Sequence, residues 1–390
     1  MNDLTSTKYL LSDADLGREE ADAVAEVVLS KWLSAGPRCA EFEEKFAAAM
    51  GVPCAVSVAN CTCALHLALM AVDVGPGDEV LVPSYTFVAT ANAVRYVGAT
   101  PVFVDIVGEH DLNMDPADAA AKITPRTRAI MPVHMAGFPA DMDAIMALAA
   151  RHKLRVVEDA CHAIGATSTY CGMKAGAIGD IGCFSFFANK NLVTGEGGML
   201  ITRDESLAKR LRLIRSHGMT KTSWDKAAGR ATGYDVVEMG FNFRPTELTA
   251  ALGLVQLGKL DRNNARRRRL VARYRRNLAE VPGVTMPFAD RLDDSAHHVF
   301  AIVLADAAWR QPLRDALDAA GVQTTIHYQP VHQFTHMRDV AAAVSLPRTE
   351  DVAARELTLP LHPLLSEADI DEICRRFVAA LDGVRQPACV

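Results

Sequence analysis

Asp159 closes an apolar run in "LRVVEDACHA", and Lys190 stands between an apolar run and a glycine-rich turn in "FSFFANKNLVTGEGG". Solvation alone would exclude both charges from such places. Each must be neutralised, paired or covalently bonded, because a lone charge is costly to remove from water. For Asp159 an arginine or a helix N-terminus would be an ordinary structural partner. A strand-end aspartate combined with a lysine in a Ser/Gly-rich setting suggests another solution, pyridoxal phosphate (PLP). Such a lysine bonds the cofactor's aldehyde, and such an aspartate pairs with its ring nitrogen. Opposite unit charges about 4 Å apart attract by up to roughly 4 kcal/mol at an effective dielectric of about 20, enough to hold that nitrogen protonated. The phosphate calls for a helix N-terminus with hydroxyl and backbone donors. Thr62, at the start of "NCTCALHLAL", supplies one, and reads equally well as an ordinary N-cap.

Positioning these groups requires a sheet. Apolar runs "CAVSV", "EVLVP", "TPVFVDI", "RAIMPV" and "LRVVEDA" alternate with helical periods "CTCALHLALMAV", "FVATANAVRYV" and "ADMDAIMALAARH". This alternation specifies an α/β domain with a largely parallel sheet covered on both faces. Ligands of such sheets bind at the carboxyl ends of the strands, where Thr62, Ser84, Asp105, His134 and Asp159 fall. After "GGMLIT" a helical stretch from about Asp204 to His217 leads into a polar loop, "GMTKTSWDKAAGRATGYDVVEMG". A long helix then precedes shorter α and β patterns. We expect a large α/β domain over 1–255 and a smaller C-terminal α+β domain over 256–390, divided within the long helix.

Composition narrows the function. The 390 residues are 50% hydrophobic with a net charge of −6, so a sizeable core is expected and nucleic acid is not an expected partner. The basic stretch "NNARRRRLVARYRR" is interleaved with Leu270, Val271 and Tyr274 and reads as the solvated face of a helix. Nine cysteines, an odd number, argue against a disulfide framework and for a reduced, cytoplasmic setting. The N-terminus lacks the basic-then-apolar pattern of a secretion signal. Cys61 and Cys63 form a CxC pair without a second pair at ligand spacing, and Cys161, Cys171 and Cys183 match no ligand pattern, so no metal is expected. No apolar stretch reaches the roughly 18 residues of a membrane span. No GxGxxG follows the first strand, which disfavours a dinucleotide oxidoreductase.

The strings "PSYTFVATANAV", "VVEDACHAIGA", "FSFFANKNLVTGEGG" and "GFNFRPTELTAALGLVQL" together resemble the DegT/StrS family of PLP-dependent sugar aminotransferases, of fold-type I, over roughly residues 10 to 380. The resemblance implies a mostly parallel seven-stranded sheet between helices, and it implies roles. Lys190 matches the lysine bonded to PLP, Asp159 the partner of the pyridine nitrogen, and His162 a position near the ring's phenolic oxygen. Phe87 resembles the aromatic that stacks on the ring, although an aromatic there also reads as core. Thr62, the backbone at Cys63, and Ser185 resemble phosphate ligands. Asn242 resembles an asparagine that reaches the phosphate of the neighbouring subunit, implying a homodimer with shared sites; on its own, Asn242 or Ser185 reads as a turn or cap. His327, Tyr328 and His332 in "TTIHYQPVHQF" resemble the sugar-recognition segment, with local hydrogen bonding as the bland alternative. Cys61 departs from the pattern, standing where the family usually has glycine; a positive φ there would strain the loop.

The implied activity is transfer of an amino group from L-glutamate to a nucleotide-linked keto sugar, through pyridoxamine phosphate. The HYxPxH form is more similar to members acting on 4-keto-6-deoxyhexoses. A 3-keto sugar or a keto-inositol would use the same residues. A dehydratase is disfavoured, because such relatives carry histidine where this chain has Lys190. A non-catalytic regulatory or binding protein on the same scaffold would not need the whole set.

Overall fold

The computed structural model describes residues 8–229 and 232–385. Its strands are β1 Cys54–Val58, β2 Glu79–Pro83, β3 Thr100–Val104, β4 Ile106–Gly108, β5 Asp111–Met114, β6 Thr127–Ile130, β7 Arg155–Asp159, β8 Ile181–Ser185, β9 Gly198–Thr202, β10 Val284–Thr285, β11 Phe300–Leu304 and β12 Glu356–Leu359. Seven of them form one sheet in the order β1-β9-β8-β7-β6-β2-β3. Pairings from β8 through β7, β6 and β2 to β3 are parallel, and β9 alone runs antiparallel to both its neighbours. The expected α/β architecture with a mostly parallel seven-stranded sheet is what forms.

Burial explains why the apolar runs became these strands. Every residue of β2, β8 and β9 is buried, as required when helices cover both faces. One face packs on the helices Cys61–Ala71 and Ala89–Tyr96, which are themselves mostly apolar. The other packs Phe46, Phe184 and Phe186 with ring centroids 5.2 and 5.6 Å from Phe46, in edge-on contacts.

The helix Glu247–Leu278 runs past two cores. Its Ala250 and Leu260 pack in the large-sheet core, whereas Leu270, Val271, Tyr274 and Leu278 pack on β11, β12 and the helix Glu367–Arg385. Tyr9, near the other end of the chain, also lies in this second core and bridges to Val322. The polar loop expected after the helix Glu205–Ile214 contains a short helix, Ser223–Ala227. The reading of the arginine-rich stretch as a solvated face fails at Arg267. That side chain is 2% exposed, and its Nη1 donates to the carbonyls of His298 (3.2 Å) and Leu361 (2.9 Å). Burial in the interior pushes its guanidinium down to about 10. No helix among the described residues is long and apolar enough to cross a membrane.

Candidate active site

A cavity of about 450 Å³ opens at the carboxyl ends of the strands, and both Asp159 and Lys190 line it. Asp159 ends β7. Its Oδ2 accepts from the Thr90 hydroxyl (2.8 Å) and its Oδ1 from the Cys161 N–H (3.2 Å). Because the Thr90 proton is committed to Asp159, the 2.9 Å contact between Thr86 and Thr90 must have Thr86 donating. The carboxylate therefore receives an ordered relay and presents its remaining lone pairs to the cavity.

Its neighbour Glu158 faces the opposite side of the sheet, as period-two alternation dictates. Its oxygens accept the N–H groups of Gly176 (2.8 Å), Ile178 (2.7 Å) and Gly179 (2.6 Å), and that of His134 Nε2 (2.9 Å). His134 Nδ1 accepts from Ala140 N–H, which fixes this tautomer. Glu158 thus anchors the loop leading to β8 and plays no part in the cavity. Three of the five polar strand-end residues, all beyond the last residue of their strands, are likewise committed to partners outside it. Ser84 holds His332, Asp105 accepts from Thr349, and His134 serves Glu158.

Lys190 lies on the loop between β8 and β9, half-buried at the cavity wall. Burial pushes its ammonium down from the usual lysine range, opposed by Cys161, the Asp159 carboxylate and Cys61. Its Nζ makes a long contact, 3.4 Å, with His298 Nε2. The tautomer follows from the other side of the ring. Asn191 Nδ2 donates to Asn264 and to the Ala296 carbonyl, so Asn191 Oδ1 accepts from His298 Nδ1–H at 3.1 Å. His298 Nε2 then offers a lone pair to Lys190, and burial pushes this imidazole well below its ordinary value, keeping it neutral. His298 was not singled out from sequence, where "SAHHVFAIVL" reads only as the approach to a strand. Arg267 fixes its backbone carbonyl, so the buried arginine positions the histidine that faces the lysine.

Thr62 sits one residue into the helix Cys61–Ala71 and lines the cavity. Asn60 is the N-cap, accepting from Cys63 N–H at 2.9 Å. Thr62 is therefore not the cap, and the Cys63 backbone donor is committed to Asn60; Cys63 does not line the cavity. Cys61 is not among the residues of positive φ, so replacing the expected glycine brings no backbone strain. The tight spot is opposite: a Cβ on Gly198 would lie 2.6 Å from the Asn60 carbonyl carbon and 2.8 Å from Cys61 N. Glycine there lets β9 press against the start of this helix.

His162, Ser185, Phe87, His327 and Tyr328 also line the cavity. The His162 ring stacks on that of Tyr328 at 5.9 Å and shares a 3.0 Å hydrogen bond between Nε2 and the phenol oxygen. Burial pushes His162 well below the usual histidine range and Tyr328 above the usual phenol range, so both are neutral near pH 7. Ser185 accepts from Phe187 N–H at 3.3 Å, and Phe87 is an exposed ring 6.3 Å from Tyr328. Two predicted residues lie elsewhere. His332 is buried between Ser84 (2.7 Å) and Glu350 (3.2 Å), outside the cavity wall. Asn242 is exposed on a segment bridged to Ser216 and does not line the cavity of its own chain. Sequence reading missed Asn189, Thr86 and His298.

The site fits PLP. Among the cavity-lining residues, Asn189 Oδ1 and His162 Nδ1 are buried polar atoms without a protein partner, a state that a polar ligand relieves. A carboxylate, a lysine of lowered basicity and a helix N-terminus converge around them.

The sequence pattern of the DegT/DnrJ/EryC1/StrS aminotransferase family matches residues 14–378. The chain belongs to this family. The DegT/DnrJ/EryC1/StrS enzymes are PLP-dependent, and the chain is a sugar aminotransferase by membership. It is 42% identical over 367 residues to the spore coat polysaccharide biosynthesis protein SpsC of Bacillus subtilis (strain 168), covering 92% of this chain and 93% of that one. It is 42% identical over 376 residues to the GDP-perosamine synthase of Caulobacter vibrioides, covering 95% and 96%. Among solved structures, the aminotransferase TlmJ from Streptoalloteichus hindustanus superposes with a TM-score of 0.89 at 36% identity, covering 96% of this chain and 99% of that one.

Glu356 supplies a measurable pH dependence beside this DegT/DnrJ/EryC1/StrS site. Its Oε2 accepts from His327 N–H (2.8 Å) and its Oε1 from the Thr358 hydroxyl (2.5 Å), and burial pushes the carboxyl up to about 8 from 4.5. Between those values the folded chain keeps a proton that the unfolded chain has lost, so stability falls as pH rises. His297, His327 and His362 are pushed down by burial to about 4 and give the opposite slope, but only below their ordinary 6.5. From pH 6.5 to 8 the Glu356 contribution stands apart from theirs, and it amounts to about 2 kcal/mol. Glu356→Gln is expected to flatten the stability profile by about that amount in this window, read from urea unfolding at several pH values. Parallel profiles for the two proteins would show that Glu356 is ionised when folded.

Proposed function

We propose that this enzyme moves an amino group from L-glutamate to a nucleotide-linked keto sugar, most plainly a 4-keto-6-deoxyhexose, with PLP as cofactor. The observation that carries the reading is the convergence of Asp159 and Lys190 on one cavity walled by Thr62, His162, Ser185 and Phe87. The name of the GDP-perosamine synthase relative, at 42% identity, supports a nucleotide-sugar acceptor.

PLP, when bound, supplies an electron sink that makes the donor's Cα–H acidic and a carbon that carries the amino group between half-reactions. Lys190 would hold its aldehyde carbon and, once released, take and return a proton at Nζ. That role needs a neutral amine near working pH, which burial favours. The neutral His298 accepts from Lys190 without adding charge, so it orients the amine without competing for its proton. Asp159 would hold the ring nitrogen, its orientation fixed by Thr90 and Cys161 N–H. Thr62, Ser185 and the helix N-terminus would hold the phosphate. His162 and Phe87 would bracket the ring, and His327 and Tyr328 would meet the sugar. Asn242, exposed on its own chain, suits a role in the cavity of a second copy, in a homodimer. We place the enzyme among cytoplasmic proteins on its reduced cysteines.

The test is a panel of nucleotide-linked 4-keto and 3-keto sugars and keto-inositols, incubated with glutamate and PLP and read by mass spectrometry for the added amine. A gain of amine on a nucleotide-linked 4-keto sugar is expected. Amination of a keto-inositol or a 3-keto sugar alone would overturn the substrate assignment, and amination of none would overturn the reading as a whole.

A further inference from the structure

Two thiols a hundred residues apart meet at the floor of the cavity. Cys161 Sγ lies 2.9 Å from Cys61 Sγ, and both residues line the cavity wall. Cys61 opens the helix Cys61–Ala71, immediately before Thr62, and Cys161 donates its N–H to Asp159. Cys61 is buried, whereas Cys161 is partly buried at the cavity wall, where Cys61 and burial hold its thiol well above the usual range, so attack through its minor thiolate form is slow. No other cysteine among the described residues lines this cavity: Cys63 is turned off the wall, Cys183 is buried in β8, and Cys171 is exposed on the surface.

We propose that Cys61 and Cys161 are a disulfide-forming site that takes a low-molecular-weight disulfide of the glutathione class as co-reactant, and that its closure opposes cofactor loading. The balance is as follows. The Cys161 thiol loses its proton and attacks one sulfur of the small disulfide, breaking its S–S bond; the departing thiolate takes up that proton. Cys61, also deprotonated, then attacks Cys161 Sγ and expels the second small thiol. Two protein thiols are oxidised by two electrons, and one small disulfide is reduced to two thiols. An S–S bond is about 2.04 Å long, so the sulfurs must approach by under 1 Å. A cation held by both sulfurs would instead draw on Asp159, the third ligand-type atom within 4.8 Å. That carboxylate already accepts from Thr90 and from Cys161 N–H, so dithiol chemistry asks less of the site. Drawing Cys61 towards Cys161 shifts the two segments that present Thr62 and Asp159, the residues assigned to the phosphate and the ring nitrogen. The effect on loading rests on that assignment; formation of the bond does not.

Full-length protein freed of cofactor is incubated with oxidised glutathione, its remaining thiols are alkylated under acid quench, and the digest is mapped by mass spectrometry. A Cys61–Cys161 linkage is expected, reversed by dithiothreitol, forming more slowly when PLP is added first. It is lost in Cys161→Ser and retained in Cys63→Ser. Oxidised protein should bind PLP about tenfold more weakly by titration of absorbance. Exposed Cys171 serves as the internal control. If Cys171 is glutathionylated while Cys61 and Cys161 are both recovered alkylated, the proposal is overturned, whatever PLP does. A linkage formed with PLP affinity unchanged would overturn the coupling to loading. Failure of the reduced protein to bind PLP at all would strike the functional reading, not the thiol pair.

Discussion

Lys190→Ala is expected to lower amino transfer by at least about 10³-fold while leaving the protein folded. Positioned acid–base catalysis alone contributes about 10²- to 10⁴-fold, and this variant also removes the covalent anchor. The fold should tolerate the change for a local reason. Lys190 makes one long side-chain contact, to His298 at 3.4 Å, and its ammonium is already disfavoured by burial. Truncation leaves the buried Asp159 carboxylate without a nearby cation, but Asp159 makes no direct ion pair with Lys190 and keeps its bonds from Thr90 and Cys161 N–H, so the penalty is smaller than that for breaking a buried ion pair. Single-turnover transfer, read by mass spectrometry and paired with a thermal melt, checks both halves. Activity within about tenfold of wild type would remove Lys190 from the chemistry, and a collapsed melt would show that its role is structural.

Asp159→Asn is expected to have the second largest effect, about 10²- to 10³-fold on transfer. The bound is electrostatic. An ion pair at about 4 Å and an effective dielectric of about 20 is worth up to roughly 4 kcal/mol, or about three decades. The variant keeps the shape but carries only one acceptor oxygen, so either Thr90 or Cys161 N–H would face an amide NH₂. The Thr90 hydroxyl can turn to accept from that NH₂ while donating to Thr86, so the stability loss of about 1–3 kcal/mol expected here comes from exchanging charge-assisted hydrogen bonds for neutral ones. To separate the two contributions, Asp159→Glu provides a charged comparison, which should recover part of the rate without restoring the geometry. If Asp159→Asn turns over within fivefold of wild type, the carboxylate is a structural partner for Thr90 and nothing more.

Much of this architecture is legible in one dimension. β2, β8 and β9 are mostly apolar runs because both their faces are covered, and Asp159 and Lys190 stand out as charges placed just where such runs end. Other features could not be read that way. Asp105, His134 and Ser84 sit at strand ends as Asp159 does, yet their side chains turn to other partners, and only three-dimensional packing distinguishes them. His298 faces Lys190 from beyond the long helix, held by Arg267, a residue whose neighbours all suggested solvent. Thr90, on the helix Ala89–Tyr96, and Thr86, in the turn before it, carry little signal in sequence until Asp159 is seen 2.8 Å from Thr90 and Thr90 2.9 Å from Thr86. His332 reads as part of a recognition motif but spends both ring nitrogens on Ser84 and Glu350.

The reversal of β9 has a consequence for how the lysine is carried. Because β8 and β9 run in opposite directions and pair from Gly182 with Ile201 to Ser185 with Gly198, the chain between them leaves and re-enters the sheet at one rim. No crossover helix must be threaded to bring Lys190 home. A change in the length of that segment is absorbed at the rim and is not passed on to the register of the parallel strands. The reactive amine therefore rides on a self-contained cassette, bounded by Ser185 and Gly198, whose length can change while the scaffold beneath it stays fixed.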